Sequence, residues 1–488
     1  MMFLRNLLEN IYIKEIPSLW RDLQIHSICC DSRKVNERSL FITLPGVSGH
    51  GEQFVADAIS RGAKVIVTGN HQGSKIDSHV CHLRVEDTRF FLKELLLRFY
   101  GNPSHKIKTI GITGTNGKTT LTYLLESILT CAGKSCGVIG TINHHIGPLV
   151  IPAKNTTPGL IENMELLSLM LKEGADYCAM EVSSHALTQG RVDLINFRYA
   201  VFTNLTSDHL DYHKTQEEYF LAKAQLFTQL KGEAVAIINV DDPFSSRLIP
   251  MIKVPKVTYG INTKADVMAE DIDLSLTGST FTLVSSKNRF KVQTQLIGLH
   301  NISNILAAAC ICLKENIPLT KIKEGIERLT SVPGRLEQIK AGQDFVCFID
   351  FAHTEDALKN VLRHIRQVNP TKILLVFGCG GDRDKTKRPR MGKIASQLAD
   401  WVIITNDNPR TEDPKAIVDQ ILSGFEGRRY TVIIDREEAI KKVLNLAKKG
   451  DVVIIAGKGH EEYQIFKDRT TPFNEREIVI QHLKNKFS

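Results

Sequence analysis

Along most of this chain, short apolar runs alternate with longer segments whose apolar positions recur every three or four residues. Runs of four to eight residues bounded by turn signals read as strands, and the segments between them as amphipathic helices. From residue 332 the rhythm is regular: FVCFID, KILLVFG, WVIITND, TVIID and DVVIIAG each precede a helical or loop segment. It predicts a doubly wound α/β domain over 332–488, a type that holds ligands at the carboxyl ends of its strands. Asp350, 378–383, 407–410 and 457–461 fall at those ends.

Residues 105–331 show the same alternation less evenly. VAIINVDD (235–242), YCAMEV (177–182) and YAVFTNL (199–205) read as strands, and EEYFLAKAQLFTQL (217–230) as a helix. That mixture predicts a mainly parallel sheet. FTLVSS and FKVQTQLIG alternate at period two and read as an antiparallel addition. Residues 1–104 form a first region with a turn-rich centre, DSRKVNERSLFITLPGVSGHG. A helix over 90–100 and the turn Gly101-Asn102-Pro103-Ser104 close it.

Composition changes this picture little. A chain of 488 residues exceeds one ordinary core, in keeping with three regions. The stretch 296–313 carries no formal charge, but His300, Asn301, Ser303 and Asn304 mark it as a strand end followed by a helix. Arg5 and Glu9 interrupt the first apolar run before it reaches signal length. No membrane association is expected. The ten cysteines include no CxxC pair, which argues against a zinc or thioredoxin-like motif and for a reducing, cytoplasmic setting. The net charge of +8 is spread along the chain without a long basic block, and aromatic residues make up only 7%. A nucleic-acid partner is therefore not expected.

The strongest local signal is GITGTNGKTT (111–120), where a strand enters a glycine-rich turn and then a helix near Lys118. Backbone N–H groups there can cradle phosphates, Lys118 can reach the terminal phosphates and Thr119 can hold Mg²⁺. The strict phosphate-loop pattern needs glycine at 112, where this chain has Ile112, with Gly111 one place early. A glycine turn without a ligand is the plainer alternative. Glu181 and His209 follow strand-like runs and could hold a divalent cation together; such a residue taken singly is more often a surface or satisfied polar group. Lys223 lies three or four residues from Tyr219, Phe220, Leu226 and Phe227, so it projects from an apolar stripe. It reads either as a snorkelling lysine or as one of lowered pKa, able to carry a CO₂-derived carbamate.

Taken together, TGTNGKTT, EVSSHAL (181–187), DHLDYH (208–213), VPGRLE (332–337), DFAHTEDAL (350–358), GGDRDKTKRP (380–389), DNPRTEDP (407–414) and GKGHE (457–461) resemble the Mur ligases over nearly the whole chain. The resemblance implies three domains: 1–104 for a uridine nucleotide, 105–331 as a phosphate-loop ATPase, and a Rossmann-like 332–488 for an amino acid. The implied reaction is the ATP-dependent addition of meso-diaminopimelate to UDP-N-acetylmuramoyl-L-alanyl-D-glutamate, through an acyl phosphate, in peptidoglycan assembly. On matching positions it places Gly114, Thr115, Asn116, Gly117, Lys118, Thr119 and Thr120 on the ATP phosphates, with Asn301, Arg335 and Asp350 completing that site. Thr119 and Glu181 would serve one Mg²⁺, and His209 and a carbamylated Lys223 a second.

The muramoyl-dipeptide would meet Asn155, Thr156, Thr157, Ser183, Gln189 and Arg191, with Ser32 near the uridine. Arg383, Asp407, Asn408, Pro409, Arg410, Gly457 and Glu461 would hold diaminopimelate. Phe351 and Glu355 stand where the resemblance leads one to expect Tyr and Pro. A lysine-adding ligase and a folylpolyglutamate synthetase are the alternatives within the class, and NTTP and DNPR speak against both. A phosphate-loop ATPase that remodels nucleic acid or protein is the alternative from another class. A monomer acting on small molecules is expected.

Overall fold

In a computed structural model of the protein, residues 1–9, 11, 18–45, 51–69, 76, 79–206, 208, 210–427 and 429–487 are described. They gather into two compact units. The smaller comprises Met1–Lys108, Pro158–Asp176 and Gly190–Asn196; the larger comprises Thr109–Thr157, Tyr177–Gln189 and Phe197–Ser488. The fold is α/β with mainly parallel sheets, as the rhythm predicts.

The smaller unit is built on four parallel strands in chain order, Ser27–Cys29, Ser39–Ile42, Val65–Thr68 and Cys81–Arg84. Helix Thr88–Tyr100 starts where the Asp87 carboxylate accepts from the backbone N–H of Arg89 and Phe90, and it ends at Gly101, whose φ is 67°. Its Phe91, Leu92, Leu95 and Leu96 share a core with Met164 of helix Leu160–Lys172. That later helix therefore belongs to this unit. A helical apolar stripe looks the same in sequence whichever body it covers, so a continuous reading of 1–104 does not include it.

The larger unit carries two large sheets and a small two-stranded one, Tyr463–Ile465 with Thr470–Pro472. The first has eleven strands. Its centre runs Cys136–Ile139, Tyr177–Glu181, Lys108–Thr113, Phe197–Phe202, Val235–Asn239, Lys256–Gly260 and Val267–Ser275. Antiparallel strands extend both edges, including Gly278–Ser285 and Arg289–Thr294. The second sheet is the regular one. Val346–Asp350, Val452–Ala456, Ile373–Phe377, Trp401–Ile404 and Tyr430–Val432 lie parallel in that order, with Glu337–Ile339 antiparallel at one edge. The uncharged stretch near 300 becomes helix Leu299–Lys314, which is buried along most of its length against the first sheet. Among the described residues no helix is long and apolar enough to cross a membrane. All ten cysteines are free thiols.

Helix Lys118–Cys131, which begins at the glycine-rich turn, is gripped from behind by helix Leu319–Arg328. The two backbones nearly touch: a Cβ on Gly325 would lie 2.3 Å from Cα of Ile128, and Ser127 Oγ donates to the Gly325 carbonyl at 2.7 Å. Gly325→Ala improves helix propensity by about 1 kcal/mol but forces these helices apart, an overpacking cost of roughly 1–3 kcal/mol. We expect a lower melting temperature for the variant. An unchanged or raised one would contradict the close approach.

Candidate active site

The turn between strand Lys108–Thr113 and helix Lys118–Cys131 depends on two glycines. Gly114 has φ 148° and Gly117 φ 91°. A Cβ would meet Thr203 Oγ1 at 1.9 Å from the first and Asn304 Oδ1 at 2.5 Å from the second. Gly111 serves a different purpose, because it sits in the strand, where a Cβ would press 2.8 Å from the ring of Phe197. The glycine one place early is thus a packing residue, and the loop proper begins at Gly114.

Asn204 clasps the loop from both sides. Its Oδ1 accepts from Asn116 N at 2.9 Å, its Nδ2 donates to Asn116 O at 3.1 Å, and its carbonyl accepts from Thr115 N at 2.9 Å. Such a backbone, opening into a helix N-terminus, presents N–H groups suited to phosphate. Lys118 Nζ donates to the carbonyls of Gly114 (2.9 Å) and Thr115 (2.8 Å). Burial lowers its pKa, while Glu181 and Asp208 pull it back up.

Lys223 lies on helix Gln216–Thr228 with its side chain buried. Its amine does not escape to solvent. Nζ donates to Gly114 O at 2.9 Å and sits 4.5 Å from the Tyr219 ring centroid. Burial first, and the neighbouring Lys118 second, push its pKa well below the usual lysine value. Both effects act against the ammonium and towards the neutral amine, the form that is a nucleophile.

A cavity of about 770 Å³ opens beside the loop, within the larger unit. Residues 115–120 line one end, with Thr156, Glu181, Asp208, Asn301, Arg335 and Asp350. Glu181 is buried, its Oε1 accepting from Thr141 N (2.8 Å) and its Oε2 from Thr141 Oγ1 (3.0 Å). Arg335 Nη2 donates to Thr119 Oγ1 at 3.1 Å, and its guanidinium lies over the ring of Phe351 at 4.7 Å. Asp350 accepts from Leu336 N (2.6 Å) and Ala352 N (2.7 Å); burial raises its carboxyl pKa, and Arg335 opposes that rise. Asn301 donates to Ile297 O and accepts from Asn304. Asn116 Nδ2 reaches Asp356 Oδ2 at 3.2 Å, and Leu299 N donates to His364 Nε2 at 2.9 Å. Those two bonds tie the two sheets' helices together around the cavity. Glu355 pairs with Arg390 at 3.1 Å.

Among the oxygen donors at this end are the Thr119 hydroxyl and the carboxylates of Glu181 and Asp208. No cluster of three or more His, Cys, Asp or Glu side chains forms a cage among the described residues. That set fits Mg²⁺, which takes one or two carboxylates and completes its shell with water and phosphate oxygens. His209 lies outside the described residues.

At the other end of the cavity are Arg383, Asp407, Asn408, Arg410, Gly457 and Glu461. Arg410 has a left-handed φ of 53°, held by Arg410 N→Ile465 O (3.0 Å) and Nη1→Gly381 O (2.7 Å). It pairs with neither Glu412 nor Asp413. Glu412 is taken by Arg388 and Lys385, and Asp413 caps the next helix. Pro409 is not in the lining; its carbonyl packs on Gly381, where a Cβ would come within 1.8 Å.

The residues expected on the muramoyl-dipeptide are less gathered. Thr157 is buried; its Oγ1 donates to Glu181 O (2.9 Å) and Ser183 Oγ (3.2 Å) and accepts from Ser183 N, so it braces the end of that strand. Asn155 and Gln189 are exposed, and Gln189 Nε2 donates to Tyr212 Oη at 3.3 Å. Ser32 and Arg191 belong to the smaller unit, where Ser32 is buried and hydrogen-bonds Asp57.

Several lining residues escape sequence reasoning: Asn204, Asp208, Asn304, His353 and Lys387. Asp208 stands beside His209 in SDHLDYH, and that adjacency was the available signal. Lys458, inside GKGHE, is wholly buried against Asn408 at that second end of the cavity.

Comparison with known proteins agrees with this geometry. Models of the Mur ligase family catalytic domain, the Mur ligase middle domain and the Mur ligase glutamate ligase domain match residues 24–100, 112–312 and 334–459. The chain is 44% identical to the UDP-N-acetylmuramoyl-L-alanyl-D-glutamate–2,6-diaminopimelate ligase 1 of Clostridium acetobutylicum, over 96% of each chain. It is also 44% identical to the corresponding ligase of Bacillus licheniformis, over 96% of this chain and 97% of that one. A solved structure of a UDP-N-acetylmuramoyl-L-alanyl-D-glutamate–2,6-diaminopimelate ligase superposes with a TM-score of 0.70 at 33% identity, covering 100% of this chain and 99% of that chain.

The loop that carries Arg383 is pinned by Arg388, whose buried guanidinium bonds both Glu412 oxygens at 2.9 Å and Gly380 O at 2.9 Å. The Arg388 hydrogen bonds come first among the causes that hold the Glu412 carboxyl down to about 2 from 4.5. A depressed carboxyl pKa stabilises the fold above its unfolded value, and that contribution fades as pH falls through the folded one. Arg388→Met should therefore destabilise most above pH 4.5, with the deficit shrinking towards pH 2. Urea titrations across that range measure it. A deficit independent of pH would contradict the pairing.

Proposed function

The chain belongs to the Mur ligase family, and we propose that it joins meso-diaminopimelate to the D-glutamate carboxyl of UDP-N-acetylmuramoyl-L-alanyl-D-glutamate in a reaction driven by ATP. The observation that carries this reading is one cavity with a phosphate loop at one end and, at the other, two guanidiniums, Arg383 and Arg410, beside two carboxylates, Asp407 and Glu461.

A carboxylate is a poor electrophile. Transfer of the γ-phosphoryl group to it gives an acyl phosphate and ADP; the incoming amine then attacks the acyl carbon, and phosphate leaves with the C–O bond. Lys118 and the loop N–H groups offset charge on the transferring phosphoryl oxygens. Thr119, Glu181 and Asp208 would hold Mg²⁺, with Asn301, Arg335 and Asp350 on the nucleotide. Bound Mg²⁺ would neutralise the repulsion between triphosphate and carboxylate. Thr156 lines the cavity near Glu181, where the dipeptide carboxyl has to arrive. In this reading residues 1–104 take the uridine nucleotide near Ser32. Asn155, Thr157, Ser183, Gln189 and Arg191 border the muramoyl-dipeptide. One chain supplies every group the reaction uses, so a monomer suffices. Ten free thiols suit the cytoplasm, where ATP is supplied.

Lys223, with its neutral amine against Gly114, carries a carbamate formed with CO₂ and, with His209, serves a second Mg²⁺. Protein equilibrated with ¹³C-bicarbonate should show a carbamate carbonyl resonance that is missing in Lys223→Ala. That variant should lose activity and regain part of it with a small carboxylic acid. A fully active variant without additives would exclude the role.

Arg410 selects the amino acid. Diaminopimelate ends in a second carboxylate that a guanidinium matches with paired donors, whereas lysine ends in an ammonium that it repels. Loss of one partner of a desolvated charge pair costs about 2–5 kcal/mol, so Arg410→Ala should weaken diaminopimelate use at least ~30-fold. Lysine use should stay low or rise slightly. Competition kinetics with both amino acids test this, and an unchanged preference would place selection elsewhere.

A further inference from the structure

Beneath the amino-acid end of the cavity lie two buried cations, Arg436 and Lys458. Arg436 holds backbone. It pairs with Glu475 and donates to Asn406 O (3.1 Å) and Ala456 O (2.8 Å), the residues just before Asp407 and Gly457. Further bonds fix the same loops: Gln464 Nε2→Asp407 O (2.9 Å) and Ile465 N→Asn408 Oδ1 (3.0 Å). Lys458 makes a different kind of contact. Its Nζ touches side chains: Asn408 Oδ1 at 3.0 Å, Glu461 Oε2 at 3.0 Å and Asp407 Oδ1 at 3.8 Å. Asn408 Nδ2 donates to the same Glu461 oxygen at 2.8 Å.

We infer that Lys458 is a positioning residue for amino-acid selection: it fixes Asp407 and Glu461 side by side so that, opposite Arg410 and Arg383, they take the ammonium of a zwitterionic centre. This rests on the diaminopimelate reading and deepens it. Two carboxylates facing one cavity repel each other, and an ammonium buried between them relieves that repulsion. With Oε2 held by two donors, Glu461 keeps Oε1 for the cavity. Two acids and two guanidiniums there match both charges at the far end of diaminopimelate, the end where lysine lacks a carboxylate. Because Arg436, the Gln464 side chain and the Ile465 N–H pin the loops, losing the Lys458 ammonium disorders side chains and leaves the loop path in place.

The test is steady-state kinetics of Lys458→Met and Lys458→Gln in the full chain. A fault that only lowers the folded fraction reduces apparent kcat and leaves every KM unchanged. We expect KM for diaminopimelate to rise at least ~10-fold, about 1.4 kcal/mol, with KM for ATP and for the UDP-linked dipeptide unchanged. The Gln variant, which keeps a neutral donor, should fall between parent and Met. The preference for diaminopimelate over lysine should shrink in both. Unchanged KM for diaminopimelate in the folded variants would overturn the inference, as would equal rises for all three substrates. If neither variant folds, Lys458 is a folding residue and the inference is likewise overturned. Should the parent itself ligate no diaminopimelate, the failure lies with the underlying reading of function.

Discussion

One carbonyl oxygen organises the phosphate end of this protein. Gly114 O accepts from both Lys118 and Lys223, each at 2.9 Å. Two ammonium groups converging on a single acceptor in a buried place repel strongly, and the easiest relief is for one of them to give up its proton. Lys223 is the more deeply buried, and burial together with the neighbouring Lys118 pushes its pKa well below the usual lysine value. The loop's left-handed glycines, the Asn204 clasp and the Gly325 contact behind helix Lys118–Cys131 all serve to hold that carbonyl where both lysines reach it. The environment of the Lys223 amine is thus set by backbone geometry one hundred and nine positions earlier.

The two ends of the cavity are built on different principles. The turn at 114–120 offers backbone N–H donors and a few hard oxygen groups, fixed by glycine conformations that other residues adopt only under strain. At the end lined by Asp407 and Glu461 the groups are charged side chains, with buried counter-charges beside them: Arg388 at Glu412, Lys458 at Asp407 and Glu461, and Arg436 at Glu475. Backbone suits a ligand common to many enzymes; side chains suit the substrate that must be told apart from its neighbours.

Much of this was legible in the sequence. Strand runs such as KILLVFG and DVVIIAG became the parallel strands they resemble, because a strand buried on both faces has to be apolar throughout. The motifs gathered as expected where each closed a strand, as at Asp407 and Gly457. Residues that act through a partner distant in sequence were not legible. Asn204 and Asn304 look like ordinary amides until the loop folds over them, and Lys458 is one lysine among many until its burial is seen. The allegiance of helix Leu160–Lys172 to the smaller unit was hidden for the same reason, since an apolar stripe does not name what it covers.

In the proposed reaction this cavity uses ATP to make one amide bond with one amino acid. The most direct measurement incubates the protein with ATP, UDP-N-acetylmuramoyl-L-alanyl-D-glutamate and equal concentrations of meso-diaminopimelate and L-lysine, and weighs the product by mass spectrometry while counting phosphate released. A single diaminopimelate-containing tripeptide is expected, with one phosphate for each molecule formed. A lysine-containing product, or phosphate released without any amide, would contradict it.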